Sequence, residues 1–167
     1  KWMSGTGFKK YDGKVWKTYR QFDPMYWGTS AIAMDQNNII WTGSYQQGLY
    51  KFDGASWTIY DMSNSGIPSN VVNDLKMGPG NLLWIGTESG LATFNGTNWT
   101  VYKTSNSGLP NNNVKRIVMD PSGNSVWICT WGGGLSKFDG TNWTTYNTSN
   151  SGITNDKIYC VAIDANN

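Results

Sequence analysis

Short apolar segments alternate with turn-forming residues along most of the chain. One period contains four segments, residues 114–120, 125–130, 135–138 and 143–146, and residues 99–102 are the last segment of the period before. They are rich in Val, Ile, Trp, Tyr and Thr, and Gly, Asn, Asp and Pro separate them. Segments of this kind are typical of β-strands joined by hairpins. Apolar residues follow a helical spacing for no more than about one turn, so the pattern predicts an all-β chain.

A phrase that ends in tryptophan returns four times. It occupies residues 48–57, 90–99 and 134–143, and a weaker copy occupies residues 7–16. The closing tryptophans stand about 42 residues apart, which is the period of one four-stranded propeller blade. We therefore predict a single β-propeller domain with four blades of four antiparallel strands. Its repeats cover approximately residues 1–28, 29–70, 71–113 and 114–157.

The two ends of the chain carry complementary parts of one repeat. Residues 1–5 match the second strand of the period, as in residues 83–86, and residues 158–167 match the first strand and its turn. We expect residues 159–164 to pair with residues 2–6, so that the N- and C-terminal strands share the closing blade and hide two sheet edges. Three assemblies fit this phase: one four-bladed ring, a homodimer that completes an eight-bladed ring, and a four-repeat segment of a larger propeller.

The repeat also carries a family signature. The pattern Leu-Trp-Ile-Gly-Thr-x-x-Gly-Leu at residues 83–91 follows Ser-Gly-Ile-Pro-Ser-Asn-Val at residues 65–71, and Ser-Gly-Leu-Pro-Asn-Asn-Asn-Val stands at residues 107–114. This phrase resembles the two-component regulator propeller repeat. The resemblance covers all four periods and implies an extracytoplasmic sensor-type propeller, as in hybrid histidine-kinase systems, or a secreted or cell-surface bacterial protein. It implies no particular ligand.

Composition narrows the function classes. The net charge is +2 and charged residues are 14% of the chain against a usual value of about 25%, a polar, nearly neutral surface that suits an extracellular or periplasmic protein. Scattered Lys and Arg argue against nucleic acid, and no apolar run is long enough for direct membrane insertion. Histidine is absent, which removes the commonest general base and metal ligand. We expect no enzyme activity, no metal and no cofactor.

Candidate binding residues stand where the repeats disagree. Most tryptophans recur at equivalent positions and are interpreted as structural. The loop at residues 20–28, by contrast, keeps nothing of the Ser-Asn-Ser-Gly phrase found in the later periods, and the loops between the second and third strands differ from period to period. Both kinds of loop should emerge on one face near the propeller axis. The predicted ligand-binding residues are Arg20, Asp23, Tyr26, Trp27, Tyr45, Gln46, Glu88 and Trp131. Flat aromatic rings beside planar amides and a few charges suit a sugar.

Two function classes remain open from the sequence. The first is a non-catalytic binding or sensing module, with an oligosaccharide or a protein as its ligand. The second is a structural or adhesive module whose repeats serve protein–protein assembly, because exposed aromatic residues mark interfaces as readily as ligand pockets.

Overall fold

The computed structural model describes residues 2–3, 8–19 and 28–164, and it places them in four antiparallel sheets. The N-terminal sheet has three strands in the order β1, β2, β3, which are Trp2–Met3, Phe8–Tyr11 and Trp16–Tyr19. Each of the other sheets has four strands and forms one blade. The predicted all-β propeller class is therefore confirmed.

The three complete blades repeat one plan. Blade 1 consists of β4 (Thr29–Met34), β5 (Ile40–Ser44), β6 (Leu49–Phe52) and β7 (Trp57–Tyr60). Blade 2 consists of β8 (Val72–Met77), β9 (Leu83–Thr87), β10 (Gly90–Phe94) and β11 (Trp99–Tyr102). Blade 3 consists of β12 (Val114–Met119), β13 (Val126–Thr130), β14 (Leu135–Phe138) and β15 (Trp143–Tyr146). A single 3₁₀ turn at Pro79–Asn81 is the helical structure of the described residues.

Short Asp-Gly or Asn-Gly turns join the third and fourth strands, as the sequence predicts. Asp139 Oδ1 accepts the backbone N–H groups of Thr141 at 2.9 Å and Asn142 at 2.6 Å. These hydrogen bonds favour the charged carboxylate and lower the pKa of Asp139, and the equivalent bonds lower that of Asp53. Gly140 has φ of 95°, a conformation that a residue without a Cβ adopts readily. The side chain of Asp or Asn therefore fixes each turn from within.

A β-bulge interrupts the first strand of every complete blade. The register shifts between Thr29 and Ala31, between Val72 and Asp74, and between Val114 and Arg116. The bulge of blade 2 contacts blade 3 through Asp74. The Asp74 carboxylate accepts a hydrogen bond from the Ile117 N–H at 2.8 Å and forms an ion pair with Arg116 at 3.3 Å. The bulge thus joins the inner strands of blades 2 and 3.

The hydrophobic core lies between blades. One cluster joins blades 1 and 2 and includes Trp41, Leu75, Ile85 and Phe94, and a second joins blades 2 and 3 and includes Trp84, Ile117, Ile128 and Phe138. Trp41 and Trp84 are buried, as their structural interpretation predicts. Trp127, at the equivalent position of blade 3, stays partly exposed. Burial of this tryptophan position therefore depends on the presence of the following blade.

The expected closing blade is not formed within the described residues. Residues 158–164 belong to no sheet, and β1 pairs only with β2. The C-terminal segment is held instead at its start by blade 3, where Lys157 bridges Trp131 and the Ile158 N–H donates to the Thr130 carbonyl at 3.0 Å. It therefore leaves blade 3 as a first strand would, without the second strand beside it.

Candidate functional site

The loops between the second and third strands present four of the predicted binding residues. Tyr45 in blade 1 is 50% exposed, Gln46 and Glu88 are exposed, and Trp131 in blade 3 is partly exposed. Each loop is anchored next to the start of its own first strand in blades 2 and 3, because the Glu88 N–H donates to Val71 at 3.3 Å and the Trp131 N–H donates to Asn113 at 2.9 Å. These side chains stand at loop tips that occupy the same place in successive blades.

Hydrogen bonds within each loop hold the tips in place. In blade 1, Ser44 Oγ accepts the N–H groups of Gln46 at 3.1 Å and Gln47 at 2.7 Å. In blade 2, Thr87 Oγ1 donates to the Gly90 carbonyl at 2.7 Å, and in blade 3 Thr130 Oγ1 donates to the Gly134 carbonyl at 2.9 Å. The hydroxyl at the end of the second strand therefore supports the loop, and the residues beyond it are free to vary.

The predicted residues are not brought into direct contact. Tyr45, Gln46, Glu88 and Trp131 are all described, and no hydrogen bond, ion pair or ring contact joins any two of them. The other four predicted residues, Arg20, Asp23, Tyr26 and Trp27, lie outside the described residues. Among the four described residues of the predicted set, Trp131 is the one whose ring contacts other aromatic and basic side chains.

Trp131 lies at the centre of a basic and aromatic cluster. The ammonium groups of Lys157 and Lys115 lie 5.2 Å and 5.5 Å from the centre of its ring. The ring of Tyr159 approaches edge-on, with ring centres 4.7 Å apart and an interplanar angle of 82°. Both ammonium groups are within the distance at which a cation is attracted to an indole face. We call Lys115, Trp131, Lys157 and Tyr159 the Trp131 cluster.

The two ammonium groups of the Trp131 cluster form no salt bridge among the described residues. Among the described residues the ion pair is that of Arg116 with Asp74, and neither Lys115 nor Lys157 has a salt-bridge partner. Two ammonium groups beside a partly exposed indole can bind a ligand that combines an anionic group with an apolar ring face.

Sequence reasoning missed three members of this cluster. Lys115 lies at the bulge of β12, and Tyr159 occupies the matching position of the C-terminal segment. The equivalent positions in blades 1 and 2 are Ser30 and Asn73. Four different residues at one repeat position are the same signal that singled out Trp131, so comparing the repeats at the bulge would have found Lys115 and Tyr159.

A shallow groove lies on the outer side between blades 1 and 2. It has a volume of about 450 Å³ and is lined by Met62, Ser65, Gly66, Ile67, Pro68, Val101, Lys103 and Asn106. Met62 is 61% exposed at its rim. The residues around it belong to the regular repeat phrase, so the groove is a feature of the blade junction.

The described residues offer little reactive chemistry. They contain no group of three or more Cys, Asp and Glu side chains placed to hold a metal ion. Cys129 is buried, and loss of hydration raises the pKa of its thiol to about 12, so that this group stays protonated at neutral pH. Within the same part of the chain, no helix has the length and hydrophobicity needed for a membrane crossing.

Comparison with known proteins supports the fold and the repeat type. The model of the two-component regulator propeller family matches residues 108–132. No curated protein matches the sequence. The extracellular domain of the hybrid two-component system BT3049 from B. thetaiotaomicron is 26% identical, with a TM-score of 0.65 over 72% of this chain and 18% of that chain.

Two further solved structures share the fold at lower identity. The extracellular domain of the one-component system BT4673 from B. thetaiotaomicron is 17% identical, with a TM-score of 0.68 over 83% of this chain and 21% of that chain. PorZ, a surface component of the type-IX secretion system of Porphyromonas gingivalis, is 21% identical, with a TM-score of 0.55 over 67% of this chain and 17% of that chain. The chain thus spans about a fifth of the length of these proteins. The resemblance seen in the repeat is confirmed: residues 108–132 match the two-component regulator propeller repeat, and the chain has the fold of a β-propeller array.

Proposed function

We propose that the chain is a non-catalytic, extracytoplasmic binding or sensing module whose ligand is a glycan with acidic groups. The observation that carries this proposal is the Trp131 cluster, in which two ammonium groups without a salt bridge lie 5.2 Å and 5.5 Å from the centre of a partly exposed indole ring. Similarity to extracellular domains of bacterial regulatory systems supports the location and the sensing role.

The chemistry of the cluster suits an acidic sugar. A pyranose ring packs its C–H groups on an indole face, and a carboxylate or sulfate on the same sugar pairs with an ammonium group. Tyr45, Gln46 and Glu88 stand on equivalent loops of the neighbouring blades and supply polar contacts to further sugar units. Arg20, Asp23, Tyr26 and Trp27 remain predicted members of the same surface.

The proposal is tested with an array of neutral and acidic oligosaccharides, followed by titration calorimetry on the best binder. Trp131→Ala is expected to weaken binding roughly fivefold to a hundredfold, the effect of losing about 1–3 kcal/mol of contact at an anchor residue. The double variant Lys115→Ala, Lys157→Ala should weaken acidic glycans more than neutral ones, and added salt should reduce that difference.

The matched control is Lys137→Ala. The Lys137 ammonium also lies over a tryptophan, 5.2 Å from the ring centre of Trp127, but outside the Trp131 cluster. This variant should bind like the unmodified chain. If an array yields a binder whose affinity is the same in the Trp131→Ala variant and the double lysine variant, the ligand binds elsewhere. If only proteins bind, the assembly function is favoured over glycan sensing.

A further inference from the structure

Glu88 and Trp131 occupy the same position on the loop tips of blades 2 and 3. Each follows the threonine that ends a second strand, which is Thr87 in blade 2 and Thr130 in blade 3. Each also donates its backbone N–H to the carbonyl of the residue that precedes the first strand of its own blade. The surroundings of one tip can therefore be compared with those of the other, position by position.

Two positions of the repeat supply the charged neighbours of Trp131. The first is the bulge of the first strand in the same blade, where the Lys115 ammonium lies 5.5 Å from the centre of the indole ring. The second precedes the segment that matches the next first strand, where the Lys157 ammonium lies 5.2 Å from that centre. An ammonium group donates hydrogen bonds and accepts none, so the tip of blade 3 presents donors to a ligand.

The same two positions beside Glu88 carry amides. Asn73 lies at the bulge of blade 2, and Asn113 precedes the first strand of blade 3. Asn73 donates its side-chain N–H to the Val114 carbonyl at 2.7 Å, so its amide oxygen is left to accept a further hydrogen bond. Glu88 is exposed and forms no salt bridge among the described residues. The tip of blade 2 therefore presents acceptors where the tip of blade 3 presents donors.

Lys115 stands at the position between the two tips. Tyr159, at the bulge position of the segment after blade 3, meets the Trp131 ring edge-on with ring centres 4.7 Å apart. The corresponding residue for Glu88 is Lys115, but its ammonium lies over the indole of its own blade and forms no salt bridge with Glu88. Within the described part of the chain, the Glu88 carboxylate is thus left for a cation of the ligand and the two ammonium groups for an anion.

We propose that the tips of blades 2 and 3 together bind a zwitterionic oligosaccharide, in which a sugar with a free amino group adjoins a sugar with an acidic group. The protonated amine binds at Glu88 and Asn73. The acidic group binds at Lys115 and Lys157, while a sugar ring packs on Trp131. This inference rests on the proposed function and adds to it a positive group and the place where that group binds.

The opposite charges of the two tips select both the composition and the direction of the ligand. A uniformly acidic chain that covers both tips brings an anion to Glu88, and a uniformly basic chain brings a cation to the two lysines; like charges repel in both cases. A zwitterionic chain laid in the reverse direction meets the same repulsion at both ends. One composition in one direction therefore satisfies both tips.

The probe is a tetrasaccharide of alternating glucosamine and glucuronic acid, compared with its N-acetylated form by titration calorimetry. Acetylation removes the positive charge and leaves the acidic groups and the sugar rings in place. The free-amine form is expected to bind roughly threefold to tenfold more tightly, and added salt should reduce this difference. Glu88→Gln should lower the affinity of the free-amine form to that of the acetylated form, without weakening the acetylated form.

Lysine variants serve as the matched comparison. Lys157→Gln should weaken both forms, because both carry the acidic group, and Lys137→Gln, whose ammonium lies over Trp127 instead, should weaken neither. If both forms bind equally well and Trp131→Ala weakens both, the inference is wrong and the proposed function stands. If Glu88→Gln weakens both forms alike, the site for the amine is refuted. If neither these sugars nor any other acidic glycan binds, the proposed function fails as well, and binding of a peptide of alternating Lys and Glu in their place would identify the ligand as a protein.

Discussion

Two tryptophans at the same repeat position should contribute unequally to stability. Trp84 is 6% exposed and lies between Tyr102 of its own blade, with ring centres 6.3 Å apart, and Phe138 of blade 3, at 6.2 Å. Trp127 stacks on Tyr146 and carries Lys137 on its ring, and it stays partly exposed. The two tryptophans occupy equivalent positions of the repeat, but only Trp84 is buried between two blades.

The expected costs follow from this packing. Trp84→Ala empties a site enclosed by two blades, so it should lower the free energy of unfolding by about 3–5 kcal/mol. Trp127→Ala removes a ring that is only partly buried, so it should cost only about 1–2 kcal/mol.

Urea unfolding followed by far-ultraviolet circular dichroism measures the difference, because tryptophan fluorescence would change with the substitutions themselves. The two variants should share one slope and differ in their midpoints. Equal destabilisation by the two substitutions would refute the reasoning, since it would mean that enclosure by a following blade does not determine what this tryptophan contributes.

Two further substitutions test the links within and between blades. Asp74→Ala removes the acceptor of the buried Ile117 N–H and the partner of Arg116, so it should lower the free energy of unfolding by about 1–3 kcal/mol in a urea titration; an unchanged midpoint would mean that the bulge contributes no stability. Asp139→Asn should preserve the hairpin, because Asn95 makes the same turn in blade 2 by accepting the N–H groups of Thr97 and Asn98. The pKa of Asp139 is lower in the folded chain than in the unfolded chain, so its contribution is present above the unfolded pKa and is lost as the pH falls through the folded pKa. The melting temperature of the variant, followed by calorimetry from neutral to acidic pH, should therefore fall less steeply in acid than that of the unmodified chain, and an identical acid dependence would contradict this account.

The sequence predicts the strands and turns well because each is fixed locally. Residues 99–102 and 143–146 are strands at the predicted bounds, and the Asp-Gly turns form as expected. Their side-chain pattern and turn chemistry need no information from distant parts of the chain.

The residues of the candidate site are harder to predict from the sequence, because one of them lies at a β-bulge. An extra residue in β12 interrupts the two-residue alternation of the strand, so the simple pattern does not indicate that Lys115 reaches the ring of Trp131. The pairing of the chain ends is also beyond local reasoning. Complementary strand sequences indicate that two edges fit each other, but they do not specify whether residues 158–164 pair with β1, and in the described residues the two do not pair.

The repeated junction also bears on how such a protein changes over generations. Blade 2 contacts blade 3 through Trp84 and Tyr102, and it contacts blade 1 through Phe94 and Trp99. A gene duplication that inserts one more repeat of this kind therefore also supplies the aromatic side chains for contacts with the blades on both sides. The array can lengthen by unequal recombination without a new interface, while the loop tips at Tyr45, Glu88 and Trp131 diverge independently.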